Sequence, residues 1–257
     1  MGIELVLPVY DLSMTYIVGM ISDDGLSISA DGLNQRYMVE TGESLDIKYD
    51  AQKVWQINDY IVAGFAGSVL NLEGFVKSYK TFIEPLDIKE VKTLAQHLSK
   101  GFIAAYEDLA EKKSQYLEVM IGGFDIDKYG RPVGEPKLYV FSNRPGNDGS
   151  NRYQFATVGY VDEKLTSLIG VLYESSDKSI MAVDKIAYEA IKTSAELNFS
   201  GVGGDITIHH ATTAGVERAK FKVGYTGDMS KKKFLNLIKK ASTPVPKEQD
   251  KQLFDNS

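Results

Sequence analysis

The sequence predicts a single α+β domain within its 257 residues, with antiparallel sheets and helices packed outside them. Two observations carry this. The predicted elements come in groups (strands, two helices, strands, two helices, strands) rather than in strict strand–helix alternation, which disfavours a parallel βαβ arrangement. No internal repeat or interdomain linker interrupts that order. Apolar residues make up 43 % of the chain and charged residues 25 %, enough apolar material for one substantial core.

Residues 15–22 and 26–32 read as a strand pair around Asp23-Asp24-Gly25, a hairpin turn signal. Leu26, Ile28 and Ala30 share one face of the second strand and Ser27, Ser29 and Asp31 the other. Asp31 therefore ends the polar face of a half-buried strand. The polar stretch 33–52 reads as a long loop. A second strand pair follows at 53–58 and 60–67, across Asn58-Asp59. The period then changes to helical. Leu70, Leu72, Phe75, Val76, Tyr79 and Phe82 mark a helix at 68–85, and a second apolar stripe from Val91 to Leu109 marks one at 88–112, with Pro85 between them. Strands at 117–125, 136–142 and 152–158 come next, then helices at 162–174 and 177–198. Strands at 205–210 and 218–223 and a short amphipathic helix at 230–241 complete the order. The tail 242–257 is polar with two prolines and reads as disordered.

Composition excludes several functions. A net charge of −6 argues against a general nucleic-acid or anionic-membrane binder. The lysines at 231–233, 239 and 240 read as a solvated helix face. With no cysteine, disulfides, thiolate metal sites and cysteine nucleophiles are all ruled out. No apolar run approaches the ~18 residues of a membrane span. The first 13 residues make a poor signal peptide, and Val6 stands where a myristoylation motif wants Ser or Thr. A soluble cytoplasmic protein is the expectation. No spaced carboxylate or histidine set points to a metal, and His209 and His210 read as structural. The glycines at 201, 203 and 204 follow a helix and precede a strand, the reverse of a dinucleotide fingerprint, so no cofactor is expected.

Several blocks carry a family resemblance. They are Thr15-Tyr-Ile-Val-Gly to Ala30-Asp31, then Lys53-Val54 with Ile61-Val-Ala-Gly64-Phe-Ala-Gly67. Ile121-Gly-Gly-Phe-Asp125, Lys137-Leu-Tyr-Val140 and Phe155-Ala-Thr-Val-Gly159 follow in the same order. From residue 15 to about 240, the chain resembles proteasome β subunits and the bacterial protease HslV. The resemblance implies a four-layer αββα sandwich of the N-terminal nucleophile hydrolase kind, spanning 15–241, with 1–14 as an extension or propeptide. It implies a threonine-type peptidase acting on unfolded polypeptides or peptides in a homo-oligomeric ring, with an ATP-dependent unfoldase as partner.

By the same resemblance Thr15 supplies the hydroxyl nucleophile, and its own α-amine the base. Lys53 lowers the hydroxyl and amine pKa values by its charge, and Asp31 holds that ammonium in place. Gly64 offers its N–H to the developing oxyanion, Val62 sits at the specificity pocket, and Ser200 is a supporting hydroxyl. The pattern is broken in four places. Tyr160 and Val161 follow Gly159 where the family has Ser-Gly. Leu197 stands where it has an Asp, with Asn198 the nearest polar substitute. The gap from Asp31 to Lys53 is longer than usual, which makes Lys48 the fallback. Met14 precedes Thr15, so translation starting at Met14 or cleavage of residues 1–14 is needed to free the amine. A non-catalytic ring or assembly subunit and an amidohydrolase acting on a small amide are the competing readings.

Overall fold

The computed structural model describes residues 9–11, 15–40, 43–67, 72–112, 117–143, 148–159, 163–197 and 202–221. The expected helix at 230–241 and the tail lie outside them. Strand β1 (Val9–Asp11) comes first. The hairpin signal at Asp23-Asp24-Gly25 joins β2 (Tyr16–Ile21) to β3 (Gly25–Asp31), closed by the Ser22 N–H on the Gly25 carbonyl at 2.8 Å. The stretch expected as a loop is instead a second hairpin, β4 (Leu33–Glu40) with β5 (Glu43–Asp50), and β1 pairs along β4. Its charged residues obscured a period-two alternation of Leu45, Ile47 and Tyr49, the signature of a strand.

The remaining strands are β6 (Val54–Asn58), β7 (Ile61–Ala66), β8 (Glu118–Ile126), β9 (Pro132–Ser142), β10 (Asp148–Arg152), β11 (Phe155–Gly159), β12 (Ile206–Thr212) and β13 (Gly215–Phe221). They complete two five-stranded antiparallel sheets, ordered β11-β2-β3-β12-β13 and β10-β9-β8-β7-β6. The single strand expected at 152–158 is thus divided between the sheets. At the crossing, the Tyr153 N–H bonds to Leu138 of one sheet, while Gln154 accepts from Ile21 of the other.

Among the described residues, four α-helices cover the sheets. They are α1 (Leu72–Ile83), α2 (Val91–Lys112), α3 (Glu163–Ser175) and α4 (Ile180–Glu196). Pro85 lies in the first turn of the short 3-10 helix Glu84–Leu86 that follows α1, where its missing N–H costs no helical hydrogen bond. The Ser179 hydroxyl caps α4 by accepting the Ala182 N–H. Helices α1 and α2 pack Val76, Leu94, Leu98 and Phe102 onto β7, β8 and β9. Helices α3 and α4 pack Ile169, Tyr173, Val183 and Ile191 onto β2 and β12. A third core joins the two sheets, with Ile17, Leu26 and Ile28 against Val62, Met120 and Leu138. Full burial of each such side chain is worth roughly 1.5–3 kcal/mol.

Strand β3 is buried along its whole length, not half-buried as its alternation implies. Small hydroxyls explain the difference. Ser27 and Ser29 lie under α4, within reach of one another at 3.4 Å, and let the helix approach closely.

Candidate active site

Thr15 immediately precedes β2 and is only 4 % exposed. Tyr16 and Val18 face the α3–α4 side while Ile17 faces the other sheet, so alternation directs Thr15 into the space between sheets. The residue after it is held by a buried carboxylate. Asp31, the last residue of β3, accepts the Tyr16 N–H on Oδ1 at 2.8 Å. The same oxygen accepts Lys53 Nζ at 2.9 Å; Oδ2 accepts Lys53 at 3.0 Å and the Gly203 N–H at 3.1 Å.

Lys53 stands just before β6, its carbonyl fixed by the Phe65 N–H at 3.0 Å, so the ion pair ties one sheet to the other. The two side chains are 4 % and 0 % exposed. Burial pushes the Asp31 carboxyl above the usual carboxylate range. The Lys53 charge, the Tyr16 N–H, the Lys53 hydrogen bonds and the Gly203 N–H all pull against that rise. Lys53 is thus the partner of Asp31. Lys48 belongs to β5, and its side chain lies outside the described residues.

Two expectations for β7 need correction. Gly64 sits inside the strand with Val54 of β6 on one side and Met120 of β8 on the other. Its N–H is therefore directed at a ladder neighbour rather than at a substrate. The missing Cβ has another cause, since one placed there would come within 3.0 Å of Ile17. Val62 is wholly buried in the core between the sheets, not at a pocket. The Thr15 end of β7 is Ala66, followed by Gly67 in the left-handed backbone region at φ 124°.

Gly159, at the end of β11, pairs with Tyr16. Its φ of 89° favours glycine, and any Cβ there would collide with the Thr15 carbonyl oxygen. Its N–H donates to Oε2 of Glu118 at 2.7 Å.

No protein-family model matches the chain, and no curated protein matches it. The site is therefore read from its own geometry. Ser200, Asn198, Tyr160 and Val161 lie outside the described residues. Leu197 closes α4 by donating its N–H to the Thr193 carbonyl at 2.9 Å. Glu118 and Glu196 are buried carboxylates that the sequence reading passed over, 5 % and 7 % exposed. A signal for Glu118 was present. It opens a strand that is otherwise apolar up to Asp125, and it shares the inward parity of Met120. Glu196 had no such signal, because a carboxylate at a helix end usually faces water.

The histidines lie farther along β12, with His210 opposite Ser27 while Ile206 is opposite Asp31. Among the described residues, no group of three or more His, Asp or Glu side chains is placed to hold a metal ion. Among the described residues, no helix is long and apolar enough to cross a membrane. A cleft of about 110 Å³ is lined by Gly32, Ala51, Gln52 and the start of β12, but by neither Thr15 nor Lys53.

Proposed function

We propose that this chain is a threonine-type peptidase of the proteasome β-subunit and HslV kind, a four-layer αββα sandwich whose nucleophile is Thr15. The carrying observation is the sealed Asp31 carboxylate. One of its oxygens meets both the Lys53 ammonium and the N–H of the residue next to Thr15. That places a fixed positive charge at the head of β2, where burial leaves little water to screen it.

Hydrolysis of the Met14–Thr15 bond frees the Thr15 α-amine. An ordinary α-amine has a pKa of about 7.7–8.0, close to the working pH, as a general base requires. The amine takes the Oγ1 proton as Oγ1 attacks the scissile carbonyl carbon. Lys53 stabilises the negative charge developing on Oγ1, and Asp31 holds Lys53 in place. A backbone N–H meets the oxyanion. Gly67, at the open end of β7, suits that role better than the enclosed Gly64. The proton then passes to the departing amide nitrogen, leaving an acyl ester on Thr15. Water, deprotonated by the same amine, hydrolyses the ester and restores the hydroxyl. An unfolded polypeptide is the substrate class, and a homo-oligomeric ring served by an ATP-dependent unfoldase is the setting the resemblance implies.

The test begins with intact mass, to establish that assembled protein starts at Thr15. Fluorogenic peptide hydrolysis by that material should fall to background, at least 1,000-fold on the order of general nucleophile removal, in Thr15→Ala. Wild-type protein with a free Thr15 that cleaves nothing would leave a non-catalytic ring subunit as the reading. Cleavage of small amides but not peptides would leave an amidohydrolase.

A further inference from the structure

We infer that Glu118 is a positioning residue for Thr15, acting across the sheet interface through Gly159; the inference rests on the threonine-peptidase reading. Glu118 opens β8, opposite Ala66 of β7 and Ser142 of β9. Val119 and Ile121 of the same strand face α1 and α2, whereas Met120 faces the other sheet. Glu118 therefore points inward with Met120. It reaches the opposite sheet, where its Oε2 accepts the Gly159 N–H at 2.7 Å. Gly159 is the register partner of Tyr16, and its Cα lies directly against the Thr15 carbonyl.

Two buried carboxylates thus bracket the head of β2. Asp31 grips the Tyr16 N–H from within the sheet. Glu118 grips the strand lying alongside it from the other sheet. Placing an ionisable carboxylate at 5 % exposure is costly unless it is well hydrogen-bonded, so an apolar residue would be the simpler choice if β8 needed only packing here.

The need for the second grip follows from the chemistry. Cleavage before Thr15 turns an internal residue into a chain end, and chain ends fray unless tied down. A nucleophile whose amine and hydroxyl must both meet one carbonyl tolerates little displacement, and about 1 Å of misplacement costs on the order of 100-fold in rate. Glu118 fixes Gly159, which lies directly against the Thr15 carbonyl. It touches neither substrate nor the reacting atoms.

The position calls for reach and an acceptor oxygen rather than for charge. Glu118→Gln keeps both, and its kcat on a fluorogenic peptide should stay within about threefold of wild type. Glu118→Asp keeps the charge but is one methylene short, and its kcat should fall tenfold or more with KM changed less than threefold. Melting temperatures of both variants, and the intact mass showing Thr15 at the terminus, accompany the kinetics. The reverse order, with the Asp variant active and the Gln variant inert, would overturn the positioning role, as would two variants with wild-type kcat. Losses in kcat that merely track a lowered melting temperature, with KM rising in step, would also overturn it. Inert wild-type protein with a free Thr15 would instead remove the peptidase reading, and this inference with it.

Discussion

The paired strands β3 and β12 carry an acid–base pair at each end, and the two pairs are built differently. At the Thr15 end, Asp31 meets Lys53, both sealed from water, and the carboxylate also takes the N–H groups of Tyr16 and Gly203. At the far end, His210 Nε2 lies 2.6 Å from Asp184 Oδ2 of α4. The distance suits an ion pair, but the alignment falls short of a hydrogen bond, and the side chains are 20 % and 18 % exposed. Lysine stays charged across the physiological range, whereas histidine titrates within it. The first pair therefore holds a permanent charge where the proposed chemistry needs one, and the second is an adjustable clasp between helix and sheet.

The largest effect should come from breaking the first pair on one side. Lys53→Met leaves the Asp31 carboxylate buried without its cation, which costs about 3–5 kcal/mol. Urea unfolding checks this. The double variant Asp31→Asn/Lys53→Met removes both charges and keeps one acceptor oxygen, which serves the Tyr16 N–H but not also the Gly203 N–H on the other side of the group. It should recover to within about 2 kcal/mol of wild type, because replacing a whole buried pair is far cheaper than orphaning half of it. Peptide hydrolysis should remain lost in both. A double variant that regained activity would show that the pair serves the fold alone.

The contrast between the ends was only partly legible in the sequence. Thr15, Asp31 and Lys53 stood out because they fall in colinear blocks, and the hairpin turns and helical stripes around them follow local rules. Asp31 and Lys53 are 22 residues apart, and the segment between them was misread because the charges of β4 and β5 outweighed their alternation. Glu118 and Gly159 were harder still. Their bond links residues 41 apart across two sheets, and no local pattern records such a meeting. Gly64 shows the opposite error, a glycine assigned to chemistry although the space it vacates is filled by Ile17.

A smaller effect sharpens the comparison along β12 itself. His209 is next to His210 but turns to the inter-sheet side, where it is 2 % exposed and its Nδ1 has no hydrogen-bond partner among the described residues. Burial, with the nearby Arg218 and His210 charges, pushes it down to about 4. The folded state thus favours the neutral ring, relative to an unfolded value of about 6.5. Its contribution is fully present above pH ~6.5 and is lost as pH falls towards 4, up to about 3 kcal/mol. His209→Leu should flatten that acid limb in urea titrations at pH 7, 5.5 and 4. An equally steep limb in the variant would assign acid sensitivity to other groups.

The smallest effect has the opposite sign. Burial lowers the His210 pKa, but the contact with Asp184 and the charges of Asp184, Glu217 and Asp24 outweigh it, so the net shift is upward. A raised histidine stabilises the fold below its unfolded value of about 6.5, and that stability fades as pH rises through the folded value. Asp184→Asn removes the main source of the shift while nearly preserving shape. Solvent screening limits the cost to no more than about 1 kcal/mol at pH 5, and at pH 9 the cost should vanish because the ring is neutral in either protein. Urea midpoints at the two pH values measure the difference. A loss of the same size at both would mean that Asp184 holds α4 to β12 without ionic help. The far end would then resemble the Thr15 end in depending on fixed contacts rather than on a titrating one.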